Sequence, residues 1–188
     1  MAHFAPQIAV KATYMRGGTS KGTFFKLDDL PERCQTAGQA RDNFLLRVVG
    51  SPDPYGKQID GLGNGSSSTS KVVILSKTDV ADHDVNYLFG QVAIDKAMID
   101  WSGNCGNLTA AVGSFAIAKG LVDASKVPQN GICEVRIWQQ NISKTIIAHV
   151  PMTDGQAQET GDFELDGVTF PAAEVKIEFI DPVDSDGD

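Results

Sequence analysis

The residues best suited to chemistry are a cysteine and a lysine, each beside a glycine-rich turn. Cys105 lies in Ser-Gly-Asn-Cys-Gly-Asn at residues 102–107, directly before an apolar pattern with helical spacing over residues 108–118. At a helix start the backbone N–H groups are free and the macrodipole is positive, so a thiolate is stabilised and carboxylates can bind. Such a cysteine can act as a nucleophile or as an acid and base. The alternative is a small buried cysteine between two turn glycines.

Lys71 ends a Gly/Ser-rich stretch, residues 60–71, and precedes Val-Val-Ile-Leu at residues 72–75, which predicts a buried strand. The lysine would therefore lie where a loop enters the core. Partial desolvation lowers the pKa of an amine and makes it a candidate general base. The alternative is a lysine at a strand end with its amine in water.

A third glycine-rich turn, Arg-Gly-Gly-Thr-Ser-Lys-Gly at residues 16–22, lies between predicted strands at residues 8–14 and 23–26. It predicts a hairpin tip rich in hydrogen-bond donors, which suits carboxylates or phosphates, although a solvated turn is the alternative. The P-loop spacing is absent. If the three turns converge, they combine a thiol, an amine and several hydroxyls. This set suits proton transfer at a carbon next to a carboxylate or a conjugated alkene.

The patterns elsewhere predict the elements that must position these turns. Many β segments surround one well-formed helix, which indicates an α+β domain with the helix packed against or inside a strongly curved sheet. The expected further elements are a helix at residues 41–49, strands at residues 87–94, 132–138, 145–150 and 173–180, and an Asp-Gly hairpin at residues 163–170.

Composition excludes several classes of protein. The 188 residues, 41% hydrophobic and 21% charged, are typical of a soluble globular protein, and no apolar stretch is long enough to span a bilayer. The net charge of −8 arises entirely after residue 161, and no basic patch with interleaved aromatics predicts a nucleic-acid partner. The odd number of cysteines, the absence of a secretory signal and the lack of metal-ligand spacing favour a cytoplasmic protein with no metal site.

Four stretches in order carry a resemblance to a known family. The turns at residues 16–22 and 102–107, with Lys-Gln-Ile-Asp-Gly-Leu-Gly at residues 57–63 and Ser-Ser-Thr-Ser-Lys at residues 67–71, resemble those of the PrpF family. The resemblance implies a diaminopimelate-epimerase-like fold, in which a mixed or antiparallel sheet wraps a central helix, and an isomerase that uses no metal or organic cofactor. It also implies cis–trans isomerisation of 2-methylaconitate, a step of the 2-methylcitrate cycle in propionate catabolism.

The resemblance assigns roles to residues. Lys71 and Cys105 match the family's active-site lysine and cysteine, and which of them is the base stays open. Ser20 matches the carboxylate-binding cleft, as do three residues around the cysteine. The full set of expected substrate-binding residues is Arg16, Thr19, Ser20, Ser68, Ser70, Asn104, Gly106 and Asn107.

Family members are about twice as long as this chain, with the cleft between two domains. We therefore expect residues 1–180 to form the N-terminal domain and residues 181–188 to be an acidic linker toward a second domain. The expected partners are a small tricarboxylate substrate and that second domain, with a homo-oligomer left open. Two alternatives remain: a related enzyme, such as a 4-oxalomesaconate tautomerase or a methylitaconate Δ-isomerase, and a non-catalytic carboxylate-binding module.

Overall fold

A nine-stranded mixed sheet forms within residues 4–180, the part of the chain that the computed structural model describes. Its order is β1-β2-β3-β4-β6-β7-β8, while β5 pairs with β4 and β9 with β7; the β2/β3 and β4/β6 pairs are parallel and the others antiparallel. The strands are β1 Thr13–Gly17, β2 Ser20–Lys26, β3 Lys71–Lys77, β4 Val85–Val92, β5 Ile99–Asp100, β6 Gly131–Gln139, β7 Lys144–Thr153, β8 Gln156–Ala157 and β9 Lys176–Ile180. The α-helices are α1 Gln39–Val49, α2 Gly106–Thr109 and α3 Val112–Ala118, and single 3-10 turns occupy Leu27–Asp29, Glu32–Cys34 and Ala124–Lys126.

The sheet is buried on both faces at its centre, which explains the unbroken apolar run that opens β3. Val73 and Leu75 belong to one hydrophobic cluster, together with Leu108 and Phe115 of the central helices α2 and α3. Their neighbours on β3 point the other way, into a second cluster against α1. Strands covered on both faces read as continuous apolar sequence rather than as alternation.

The expected α+β architecture, with a strongly curved mixed sheet around a central helix, is confirmed. The helix predicted at residues 108–118 is not continuous, however. The amides of Ala110 and Ala111 bond to the carbonyls of Asn107 and Leu108, three residues back, and this tighter pattern separates α2 from α3. In the described part of the chain no helix is long and apolar enough to cross a membrane.

Three strand predictions are wrong in part, and one of these strands, expected at residues 173–180, begins only at Lys176. The strand expected at residues 8–14 begins only at Thr13, which pairs with Phe24. Since β2 ends at Lys26, residues 8–10 have no residue of β2 opposite them in this register. The hairpin expected at residues 163–170 is reduced to a turn and an isolated bridge between Phe163 and Ala172. The predicted linker, residues 181–188, lies outside the described residues.

The close contact of α3 with β7 predicts that adding one methyl group at Gly113 lowers the stability of the protein. A Cβ at Gly113 would lie 2.6 Å from Val150 Cγ2 and 3.1 Å from Ala148 Cβ, so Gly113→Ala forces helix and sheet apart. We expect the unfolding free energy to fall by about 1–3 kcal/mol despite the better helix propensity of alanine. Urea unfolding measures this, with Ser114→Ala on the half-exposed side of the same helix as control. Equal stability of the two variants would contradict the close packing.

Candidate active site

The tip of the β1–β2 hairpin lies directly against the start of the central helix. Gly17 pairs with Ser20, which leaves Gly18 and Thr19 as a two-residue turn with a positive φ of 52° at Gly18. A Cβ at Gly17 would lie 2.7 Å from the carbonyl oxygen of Asn107, and a Cβ at Gly18 would overlap the Asn107 side chain. The absence of both side chains therefore allows the hairpin and the cysteine turn to touch.

Cys105 is the N-cap residue of α2 and is half-buried. Its Sγ accepts a hydrogen bond from the Leu108 amide at 3.4 Å, the position that a serine or aspartate side chain usually fills. The same Sγ lies 3.8 Å from the hydroxyl oxygen of Ser20 at the start of β2. Cys34 and Cys133 are only 1% exposed, so Cys105 is the accessible thiol in the described part of the chain.

Lys71 is the first residue of β3 and is 7% exposed, which contradicts the alternative of an amine in water. Its Nζ donates a hydrogen bond to Gln91 Oε1 at 2.5 Å and lies 5.6 Å from the centre of the Phe89 ring. Burial lowers the pKa of the Lys71 ammonium, and a negative charge on Cys105 acts in the opposite direction. Cys105 is thus close enough to Lys71 to act on the charge of the amine.

The serine-rich loop joins this arrangement through backbone hydrogen bonds. The amide of Lys21, in the hairpin, donates to the carbonyl of Ser68 at 2.9 Å. The side-chain amide of Gln91 donates to the carbonyls of Ser67 and Ser70 at 3.1 and 3.0 Å. The expected convergence of the three glycine-rich turns is therefore confirmed, and it forms one rim around Lys71 and Cys105.

The predicted substrate-binding residues divide into an exposed group and a buried one. Ser70 is fully buried, and its hydroxyl donates to Gln58 Oε1 at 2.8 Å and to the Ser66 carbonyl at 2.6 Å, so in this structure it stabilises the loop. Asn104 is half-buried, and its side chain accepts a hydrogen bond from Thr109 at 3.4 Å. The exposed residues of the rim are Arg16, Thr19, Ser68, Gly106 and Asn107. For all of these positions substrate contact stays a prediction.

Two residues of the site are missing from the sequence-based set. Gln91 and Tyr87 both project from β4 toward the central helix, at inward positions separated by Phe89. Burial raises the pKa of the Tyr87 phenol, which stays neutral in the electrostatic reach of Cys105. The sequence did contain a signal for Gln91, because this polar residue occupies an inward position of the apolar strand predicted at residues 87–94.

Lys71 and Cys105 line neither the cleft beside α1 nor the cavity beside the hairpin. A cleft of about 1440 Å³ lies between residues 6–12 and α1, and it contains neither Lys71 nor Cys105. A second cavity of about 490 Å³ borders the hairpin at Arg16 and Gly18 and follows the flank of α3. We assign the site by its chemistry, because the larger cleft contains no nucleophile or perturbed base.

The family is decided by a match over nearly the whole chain. The family model described as PrpF protein matches residues 7–188. The chain belongs to the PrpF family. It is 72% identical over 186 residues to a protein of Shewanella oneidensis named 2-methyl-aconitate isomerase, and 70% identical over 182 residues to one of the same name from Cupriavidus necator. These matches cover 98% and 97% of this chain but 47% and 46% of the relatives, so the chain spans about half of their length.

A solved structure also supports the fold. The crystal structure of methylitaconate-delta-isomerase superposes with a TM-score of 0.77 at 41% identity and covers 87% of this chain and 40% of that one. The fold of this chain is therefore similar to that of part of methylitaconate-delta-isomerase.

The buried amine of this PrpF chain predicts a pH dependence of stability. The folded-state pKa of Lys71 lies below the ordinary value of 10.5, so between these two values the unfolded chain binds more protons and stability rises with pH. Lys71→Met removes this buried amine. We expect a higher unfolding free energy near pH 7 and a flatter rise of stability with pH below 10.5, measured by urea unfolding. Lys119→Met, at an exposed helix end, should keep the wild-type slope. An unchanged slope in Lys71→Met would contradict the burial of the amine.

Proposed function

We propose that this chain carries the proton-transfer residues of an isomerase of unsaturated tricarboxylates, and that 2-methylaconitate is its substrate, interconverted between cis and trans forms. The observation that carries the proposal is the pairing of a buried lysine with an accessible cysteine at one hydrogen-bonded rim. The names of relatives at 72% and 70% identity support the choice of substrate.

Lys71 and Cys105 suit an isomerisation, in which substrate and product contain the same atoms. Lys71 as a neutral amine, or Cys105 as a thiolate, removes a proton from the carbon γ to a carboxylate. The electron pair of that C–H bond delocalises through the former double bond into the carboxylate and gives a dienolate. Rotation about the former double bond follows, and the same carbon is reprotonated by the conjugate acid of the base. Backbone N–H groups at the start of α2 and the donors of the hairpin tip would stabilise the anion.

The need to exclude water from the reaction motivates a second part of the proposal. A carbon acid is weakly acidic, so the anion needs strong electrostatic stabilisation in a site that excludes water. Arg16 and Lys21 supply cations on one side of the rim, and both side chains are exposed. We propose that the half of PrpF proteins that this chain does not match covers this rim and supplies further carboxylate ligands, with residues 1–180 as one domain. A cytoplasmic location and a homo-oligomer also remain proposals.

An allylic isomerase of a smaller acid is the second candidate. A methylitaconate Δ-isomerase also removes and returns a proton next to a conjugated carboxylate, and the structural likeness to methylitaconate-delta-isomerase favours this candidate among the alternatives. A panel containing 2-methylaconitate, 3-methylitaconate and 4-oxalomesaconate separates the substrates by kcat/KM. Binding of trans-aconitate without turnover of any member would support a non-catalytic module instead.

The test uses this chain fused to the part of the Shewanella oneidensis relative that it does not match. We expect isomerisation of 2-methylaconitate by the fusion, and a kcat about 10²–10⁴-fold lower in the variant, Lys71→Ala or Cys105→Ser, that removes the base. The change of the substrate's ultraviolet absorbance measures the rate.

Lys119→Ala is the matched control, since this exposed lysine lies at the far end of α3 and should leave kcat unchanged. Full activity in Lys71→Ala would remove the lysine from the mechanism, and full activity in Cys105→Ser would make the thiol auxiliary. A folded fusion that turns over no member of the panel would contradict the proposed function.

A further inference from the structure

Gln91 connects the candidate base to the loop that precedes it. In the antiparallel β3–β4 pair, Gln91 lies directly opposite Lys71. Its Oε1 accepts the hydrogen bond from Lys71 Nζ at 2.5 Å, and its Nε2 donates to the carbonyls of Ser67 and Ser70. One half-buried amide thus uses both of its ends, the oxygen on the amine and the nitrogen on the loop.

The chemistry of these partners fixes the orientation of the amide. Two backbone carbonyls can only accept, so the NH₂ group must face Ser67 and Ser70. With the amide flipped, an oxygen would face two carbonyl oxygens and an NH₂ group would face the Lys71 amine. The hydrogen bonds from Nε2 to the loop carbonyls therefore determine that the amide oxygen of Gln91 faces Lys71.

We propose that Gln91 is the positioning residue of Lys71: it holds one N–H of the amine against the sheet and directs the lone pair of the neutral amine toward the substrate face beside Cys105. This role rests on the proposed function of Lys71 as a proton-transfer group. A primary amine that donates to Gln91 still has its lone pair on the other side of the nitrogen. The base is then oriented before the substrate arrives, which lowers the cost of reaching the reactive geometry.

A neutral acceptor is the suitable partner for a base. A carboxylate at the same place would stabilise the ammonium form and leave less free amine. Among the described residues, no acidic side chain forms an ion pair with Lys71, and the titratable group that acts on it is Cys105 on the facing helix. The phenol of Tyr87, on the same face of β4 as Gln91, is neutral. Gln91 therefore provides a hydrogen bond without adding a negative charge.

Two variants test the role through Lys71 itself. Gln91→Glu puts a carboxylate against the amine, and we expect the pKa of Lys71 to rise by about one unit or more. Gln91→Met keeps the length of the side chain but removes the acceptor, and we expect the pKa of Lys71 to fall. The rate of acetylation by acetic anhydride at Lys71, followed by peptide mass spectrometry across a pH series, measures both on this chain. Gln140→Glu, an exposed residue after β6, controls for the added charge.

Activity of the fused protein gives the second measurement. In Gln91→Glu the acidic limb of the kcat/KM profile should move to higher pH by the same amount as the labelling midpoint. In Gln91→Met we expect kcat to fall about tenfold or more with a smaller change in KM, because orientation rather than binding is lost.

The two measurements separate failure of the role from failure of the function. Labelling midpoints at Lys71 that coincide with wild type in both variants would overturn the role of Gln91, whatever the activity. If Gln91→Glu does not fold, the midpoint in Gln91→Met decides alone. Shifted midpoints in a fusion without isomerase activity would support the positioning of the amine and contradict the proposed function.

Discussion

The close approach of the β1–β2 hairpin to the start of the central helix is the constraint on which the site depends. Gly17 and Gly18 touch Asn107 and Leu108 with no room for a side chain. This contact brings Ser20 to 3.8 Å from the sulfur of Cys105. The same strand, β2, then runs parallel to β3 from Thr23 opposite Val72, so the hairpin also fixes where Lys71 enters the sheet. Larger side chains at the tip would separate the cysteine from the lysine.

The loop before Lys71 has the composition of a linker but is a rigid part of the site. Gln58 is 1% exposed and organises the loop from inside: its side chain donates to Ser51 and accepts from Ser70 and from the Gly65 amide. Buried polar groups that are fully hydrogen-bonded hold one conformation, because each broken bond would leave an unsatisfied group. The family motif at residues 57–63 therefore has a structural explanation. Its glutamine fixes the path of the chain that delivers the lysine.

Local chemistry in the sequence was sufficient for the main features of the site. The glycines around Cys105, the apolar strand after Lys71 and the donor-rich turn at residues 16–22 each predicted their own local structure, and all three turns meet as expected. The patterns alone predicted a helix packed against or inside a strongly curved sheet, and the resemblance added that the sheet wraps the helix. The catalytic and binding roles of these residues stay predictions.

The errors and omissions all depend on contacts between distant parts of the chain. The strand at residues 8–14 had the right alternation, but in the register of β1 with β2 the last residue of β2, Lys26, leaves residues 8–10 without a partner. The central helix had the right spacing, and its apolar residues pack on the sheet although hydrogen bonds to carbonyls three residues back interrupt it at Ala110 and Ala111. Gln91 became part of the site only because β4 lies antiparallel to β3 in one register. No local pattern specifies that register.

The central claim is that Cys105 and Lys71 belong to one carboxylate-binding site, and differential chemical labelling tests it most directly. In the fused protein, iodoacetamide should alkylate Cys105 and acetic anhydride should acetylate Lys71, while Cys34 and Cys133, each 1% exposed, serve as internal controls for unfolding. We predict that trans-aconitate slows both reactions with the same half-saturating concentration, since one ligand covers both groups. Protection of one residue without the other, or of neither at saturating ligand, would contradict the shared site.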